Sequence, residues 1–454
     1  MRLSVACLIL LLCCTAYGQK ISKSTVLTDL AFLNEAVVNG HPVNYNRTDR
    51  ISIDSLLQRV NALEEDSISV FRYRFILGSA LQQIGCVHTS VTENPLVAPF
   101  RRSSWFPLKV MNVDNRLFVA ERTDSLYRSL AGKELLAING VSAAIVLKDL
   151  LCYSASDGGG KAFVQDHIRI IMPALLPLYF GYPESYTLRF ADDTVTLREA
   201  TVLRPEAVNK DVVPLLSNNG NTFTVNGKTG VLKLTSFSKS DRPFYSDVFE
   251  QLEKATVSNL IIDLRGNTGG NRKAAVMLTR HLVDTTFSYA ILQPHLKTRK
   301  YLDGKGKFFL FLAKLRYNVG NVFKGRSTPL GREFAYRYHP LKSTYEGTLY
   351  VITDGLTGSS STFVTSWLKH YTGAVFVGRQ AGGGYNGNNG GTFPTITLPE
   401  SGIQITFPAY RLILDRTSEN ARGIVPDIPV SYSIEELLQG NDKEMETIFR
   451  LLND

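Results

Sequence analysis

The chain has 454 residues, 44% of them hydrophobic and 20% charged, a globular composition long enough for two or three domains and a large core. A net charge of +9 is mild for that length and does not imply a nucleic-acid partner. No apolar run approaches the roughly 20 residues that span a bilayer, which argues against stable membrane insertion.

The first residues, "MRLSVACLILLLCCTAYGQK", join Arg2, an apolar run from Leu8 to Leu12 and the small-residue pattern Ala16-Tyr17-Gly18. That order reads as a signal peptide over 1–18, cut before Gln19, and predicts a secreted or periplasmic protein. Leu12 ahead of Cys13 is not the small residue that lipid attachment needs. With Cys7, Cys13 and Cys14 removed, Cys86 and Cys152 remain; they permit one disulfide without requiring it.

Residues 19–100 read as a mostly helical domain. Leu27, Leu30, Leu33 and Val37 recur at helical spacing before Gly40, and "VFRYRFILGSALQQIGCVHTSV" carries a second helical run to His88. Residues 105–205 turn to short alternating segments, "RLFVAER", "KELLAING" and "YTLRFADDTVTLRE", the last a hairpin turning at Asp192-Asp193. This predicts a small β-rich domain. From 220 to 454 strand and helix alternate: "GVLKLTSF", a helix opened by Asp241 and Pro243, the buried strand "NLIIDL", then "GTLYVITD", a helix over Ser359–Tyr371 and "AVFVG". The expected class is α/β with right-handed crossovers. The densest basic stretch, residues 297–326, alternates Lys and Arg with aromatics and reads as a solvated insertion rather than an anion-seeking surface.

Two segments carry chemistry. In "LIIDLRGNTGGN", residues 260–271, a buried strand delivers Asp263 and Arg265 to its carboxyl end and a loop with Gly266, Gly269 and Gly270 follows, where bare backbone can aim N–H groups at an anion. The spacing fits neither G-x-G-x-x-G nor a Walker lysine loop, so a phosphate cradle is disfavoured. In "TDGLTGSSSTFVTSWLKHY", residues 353–371, Ser359, Ser360 and Ser361 stand where serines ordinarily cap a helix, and one of them could instead be a nucleophile. No H-E-x-x-H, C-x-x-C or clustered-carboxylate motif occurs, so neither a metal nor another cofactor is expected.

"IIDLRGNTGG", "VITDGLTGSSSTF" and "FVGRQAGGG" together resemble the C-terminal processing, or tail-specific, serine peptidase family. "LAGKELLAINGVSA" at 130–143 resembles the second half of a PDZ domain, with Lys133 where an acidic residue is usual. The resemblance implies a crotonase-like core, Ser359 as nucleophile, an oxyanion hole from Gly269, Gly270 and Ser360, and a protein substrate, probed at its C-terminal tail. The lysine base of the best-known branch would fall on Gly384, and neither Lys369 in the helix nor the strongly basic Arg379 replaces it. "IGCVHTS" is similar to the D-G-H-T loop of the tricorn-like and chlamydial branch, and "SENARGIVPDIPV" to its E-N-x-G-V-x-P-D segment with one residue extra. The resemblance therefore implies His88 as general base and Glu419 as the group that orients it, a Ser-His-acid set defined by roles. His41, His167, His281, His295, His339 and His370 match no such motif, and Asp427 reads as structural. The resemblance implies a secreted endopeptidase acting through an acyl-enzyme, in one or more copies. An inactive peptide- or small-lipid-binding member of the fold is the alternative that Gly384 raises, and an acyl-CoA enzyme of the crotonase type is disfavoured by the leader and the PDZ-like insert.

Overall fold

The computed structural model describes residues 20–44, 52–93, 106–120, 129–198, 216–218, 220–294, 298–320, 325–416 and 422–453. The expected leader lies outside them. Two amino-terminal helices, α1 (Lys23–Gly40) and α2 (Val70–Ile84), begin where Ser22 and Ser69 accept from the Thr25 and Arg72 N–H groups. Their inward faces, Leu30, Leu33 and Val37 on α1 and Tyr73, Leu77 and Ala80 on α2, join the main core. The short strands Lys20–Ser22 and Ser67–Ser69, which the helical periodicity hides, pair just ahead of the two helices.

Residues 106–198 build a second core of Leu108, Ile138, Val146, Met172, Leu176 and Leu188. The alternation predicts short strands and a hairpin there, and these form two small sheets; the 19-residue helix α3 (Lys161–Tyr179) it does not predict. Pro173 and Pro177 inside it read as helix breakers, yet Ile168, Met172, Leu175, Leu176 and Leu178 are all buried, and that packing outweighs two missing backbone donors.

The main layer is a seven-stranded sheet whose spatial order follows the chain: β1 (Leu216–Asn218), β2 (Asn221–Asn226), β3 (Thr229–Lys233), β4 (Asn259–Asp263), β5 (Thr348–Thr353), β6 (Val375–Gly378) and β7 (Ile428–Pro429). The first two pairings are antiparallel and the remaining four parallel. Helix α4 (Asp241–Lys254) crosses from β3 to β4. After β4 comes α5 (Arg272–Leu282), then an excursion that includes α6 (Gly304–Gly320), and α7 (Ser360–Tyr371) crosses from β5 to β6. A second, antiparallel sheet of five strands centres on Phe287–Pro294, which pairs with both Gly331–Tyr338 and Tyr410–Ile413. The carboxyl ends of β4 and β5 lie side by side and their following loops meet, the Gly358 N–H donating to the Asn267 carbonyl at 3.1 Å, at the usual place for a site in such a sheet.

Arg265, just past β4, is held by Asp263, by Asp442 and by Glu444 of the last helix, α8 (Lys443–Asn453). This network ties the carboxyl-terminal helix to the strand that carries the glycine loop. Cys86 is buried, Cys152 half-buried, and both are free thiols.

His41 is fully buried. Its Nδ1 accepts the Val43 N–H at 2.9 Å, which leaves Nε2 to donate to Thr89 Oγ1 at 2.8 Å. Burial lowers its pKa to about 3, so between about pH 6.5 and 3 the unfolded chain takes up a proton that the folded one refuses. Stability held at neutral pH is therefore lost as the pH falls through that window. Urea midpoints measured from pH 7 to 4 should decline, and less steeply in His41→Gln, which cannot titrate.

Candidate active site

β5 ends at Thr353 and its loop is anchored before Ser359 is reached. The buried Asp354 carboxylate accepts N–H bonds from Gly266 at 2.9 Å and from Leu356 and Thr357 at 3.0 Å. Asp166 of α3 accepts from Gly355 N–H at 2.9 Å and pairs with Arg379 at 2.5 Å. Thus the second core reaches into the loop that presents the serine. Ser359 follows in a conformation that L residues avoid, φ 51° and ψ −115°, and its side chain makes no capping bond to α7. Strain of that kind persists only where the surroundings impose it. Capping thus fails as the reason for this residue.

The neighbouring serines have other work. Ser360 Oγ donates to the Gly270 carbonyl at 2.8 Å and Ser361 Oγ to the Asn267 carbonyl at 2.9 Å, stitching the start of α7 to the glycine loop. Gly269 donates its N–H to Asn267 Oδ1 at 2.9 Å, so that amide is engaged. The N–H groups of Gly270 and Ser360 have no partner among the described residues and are the two donors left for an oxyanion. A Cβ on Gly269 would stand 2.6 Å from Ser359 Cβ and 2.7 Å from Ser360 N, at φ 110°. Gly269→Ala is therefore expected to cut kcat by about 100-fold or more, the scale of losing one oxyanion donor, with KM little changed. Initial rates on casein would show it.

His88 sits in the loop after α2, its ring stacked on Phe393 at 5.4 Å. One ligand atom each of Cys86, His88 and Asp157 lie within 4.8 Å of one another. Val87 N–H donates to Asp157 Oδ1 at 3.1 Å, whereas His88 Nδ1 and Asp157 Oδ2 are buried without a hydrogen-bond partner. Burial raises the Asp157 carboxyl above its usual range, and the nearby imidazole pulls it back. Asp157 lies in a "SDGGG" turn that spells no motif, so the sequence does not single it out. Ser359 and the His88 loop are both approached by the segment 383–393. A Cβ on Gly383 would lie 3.3 Å from Ser359 N, and Phe393, farther along the same segment, stacks on His88. Among the described residues no hydrogen bond joins Ser359 Oγ to His88.

Residues 228–430 match the model of peptidase family S41. The chain carries a peptidase family S41 domain. Its class is that of the serine peptidases, as the sequence resemblance implies. No curated protein sequence matches the chain. Among solved structures, mature CPAF complexed with lactacystin is similar over 95% of this chain and 98% of its own, at 15% identity and a TM-score of 0.62. A serine-to-alanine mutant of CPAF is similar over 92% and 94%, at 15% and 0.61. At such identities the likeness is one of fold.

Within this S41 frame the substitutes for a lysine base are spent. Lys369 pairs with Asp427 at 2.5 Å on the last turn of α7, and Arg379 with Asp166. Glu419 lies outside the described residues. The segment just after it reaches the loop that follows β6: the Arg422 carbonyl accepts from Tyr385 N–H at 2.8 Å, and the Ile424 carbonyl from Ala381 N–H at 2.9 Å. Cys86, His88 and Asp157 are the one cluster among the described residues able to hold a metal. Burial, then the Asp157 charge, pushes the thiol up to about 12, which keeps it protonated at neutral pH and a poor ligand until a metal displaces the proton.

Proposed function

We propose that the protein is a secreted or periplasmic serine endopeptidase that cleaves extended or C-terminal protein segments through an acyl-enzyme. Ser359 Oγ attacks the scissile carbonyl while His88 takes its proton; the amides of Gly270 and Ser360 receive the oxyanion. His88 then returns the proton to the leaving amine, and water, deprotonated by the same imidazole, releases the acyl group. A carboxylate steadies the imidazolium: Glu419 is the acid the resemblance offers, and Asp157, one of whose oxygens lies within 4.8 Å of a His88 ring nitrogen, is the second. The PDZ-like segment would add a substrate tail as a strand.

The observation that carries this reading is the strained Ser359, whose hydroxyl caps nothing and stands beside two unengaged amides. Incubation with casein and with a fluorophosphonate probe tests it. Hydrolysis with covalent labelling supports the peptidase; binding of peptides without labelling supports the inactive member that Gly384 allows.

A further inference from the structure

Nine of the chain's 50 Lys and Arg residues, but one of its 41 Asp and Glu, fall within 297–326, so the remaining 41 basic and 40 acidic residues nearly cancel. The excess charge of the whole chain is concentrated on one excursion from the core. Its helix, α6, packs inward through the buried Leu310 and through Tyr317, whose ring meets Tyr410 edge-on at 5.1 Å. Its outward face is apolar too. Phe308, Phe311, Leu312, Leu315 and Val319 recur at helical spacing and are 45% to 65% exposed, with Phe309 at 50% beside them. Six large apolar side chains turned to solvent on one helix are not a solvated insertion, which is how the sequence alone reads.

We infer that α6 docks the protein on the surface of an anionic phospholipid bilayer. The charge chooses this occupant: Lys305 and Lys307 at one end and Arg316 near the other are exposed around the apolar stripe, as in helices that lie in the headgroup plane. A second copy would set one basic patch against another. The helix rests on the membrane rather than crossing it, since no helix among the described residues is long and apolar enough to span. Docking also bears on substrate. A Cβ on Gly306 would lie 3.1 Å from the Thr395 carbonyl, and Leu302 bridges to Ile396, so α6 runs beside the segment whose Phe393 stacks on His88. The site would work on protein segments held at a bilayer.

The mature chain is sedimented with vesicles of phosphatidylcholine alone and of phosphatidylcholine with phosphatidylglycerol, with Phe311→Ser/Leu312→Ser and Lys305→Glu/Lys307→Glu variants in parallel. Binding to the anionic vesicles only is expected, weakened about tenfold or more by either double substitution and by molar salt. Because these side chains are exposed, melting temperature and cleavage of a soluble peptide should not move. The inference is overturned if anionic vesicles are not bound, if neutral ones bind equally, if both variants bind as the parent does, or if light scattering shows a dimer that the apolar variant dissolves.

Discussion

Ser359→Ala is expected to abolish fluorophosphonate labelling and to lower kcat on a protein substrate by at least about 10⁴-fold, since only positioning and the oxyanion amides would remain. A second substitution at the same position separates chemistry from structure. Ser359 is held at φ 51°, where a side chain costs roughly 1 kcal/mol or more and glycine nearly nothing. Ser359→Gly should therefore be as inactive as the alanine variant yet melt higher. A serine kept only to begin α7 would give the opposite pattern, with activity retained and stability lost.

His88→Ala is expected to reduce kcat by about 10³-fold or more, and the Ser359→Ala/His88→Ala double variant to be no worse than Ser359→Ala, because a nucleophile and its base fail as a unit. The acid behind the ring is read by comparing Asp157→Asn with Glu419→Gln. Asp157 Oδ2 and His88 Nδ1 are both buried and unpartnered within one small cluster, so Asp157→Asn should lower kcat by about tenfold or more as the ring loses the carboxylate beside it. An unchanged kcat in Asp157→Asn with a lowered one in Glu419→Gln would assign the role to Glu419 alone. Chelators should leave the rate unaffected in every case.

The peptidase core is legible in the sequence because its physics is local. "NLIIDL" and "GTLYVITD" are apolar runs of the length a buried parallel strand needs, and each ends on a loop rich in glycine or serine. The antiparallel sheet is not legible, since Phe287–Pro294 finds Tyr410–Ile413 only after more than a hundred intervening residues have folded. Helix α3 is hidden by Pro173 and Pro177, whose local cost is overridden by burial that no short window of sequence reveals. Ser359, Ser360 and Ser361 look alike as letters; the backbone angle of the first and the carbonyl partners of the other two separate them. Asp157 is invisible for the same reason: only the fold carries it close to a histidine on another helix's loop.

The central claim is that an imidazole, not an amine, deprotonates Ser359. The most direct measurement is the rate of fluorophosphonate labelling of the parent and of His88→Ala between about pH 6 and 9. The account predicts labelling of the parent that rises with pH and is nearly absent in His88→Ala across the range. Labelling of His88→Ala at the parent's rate would contradict it.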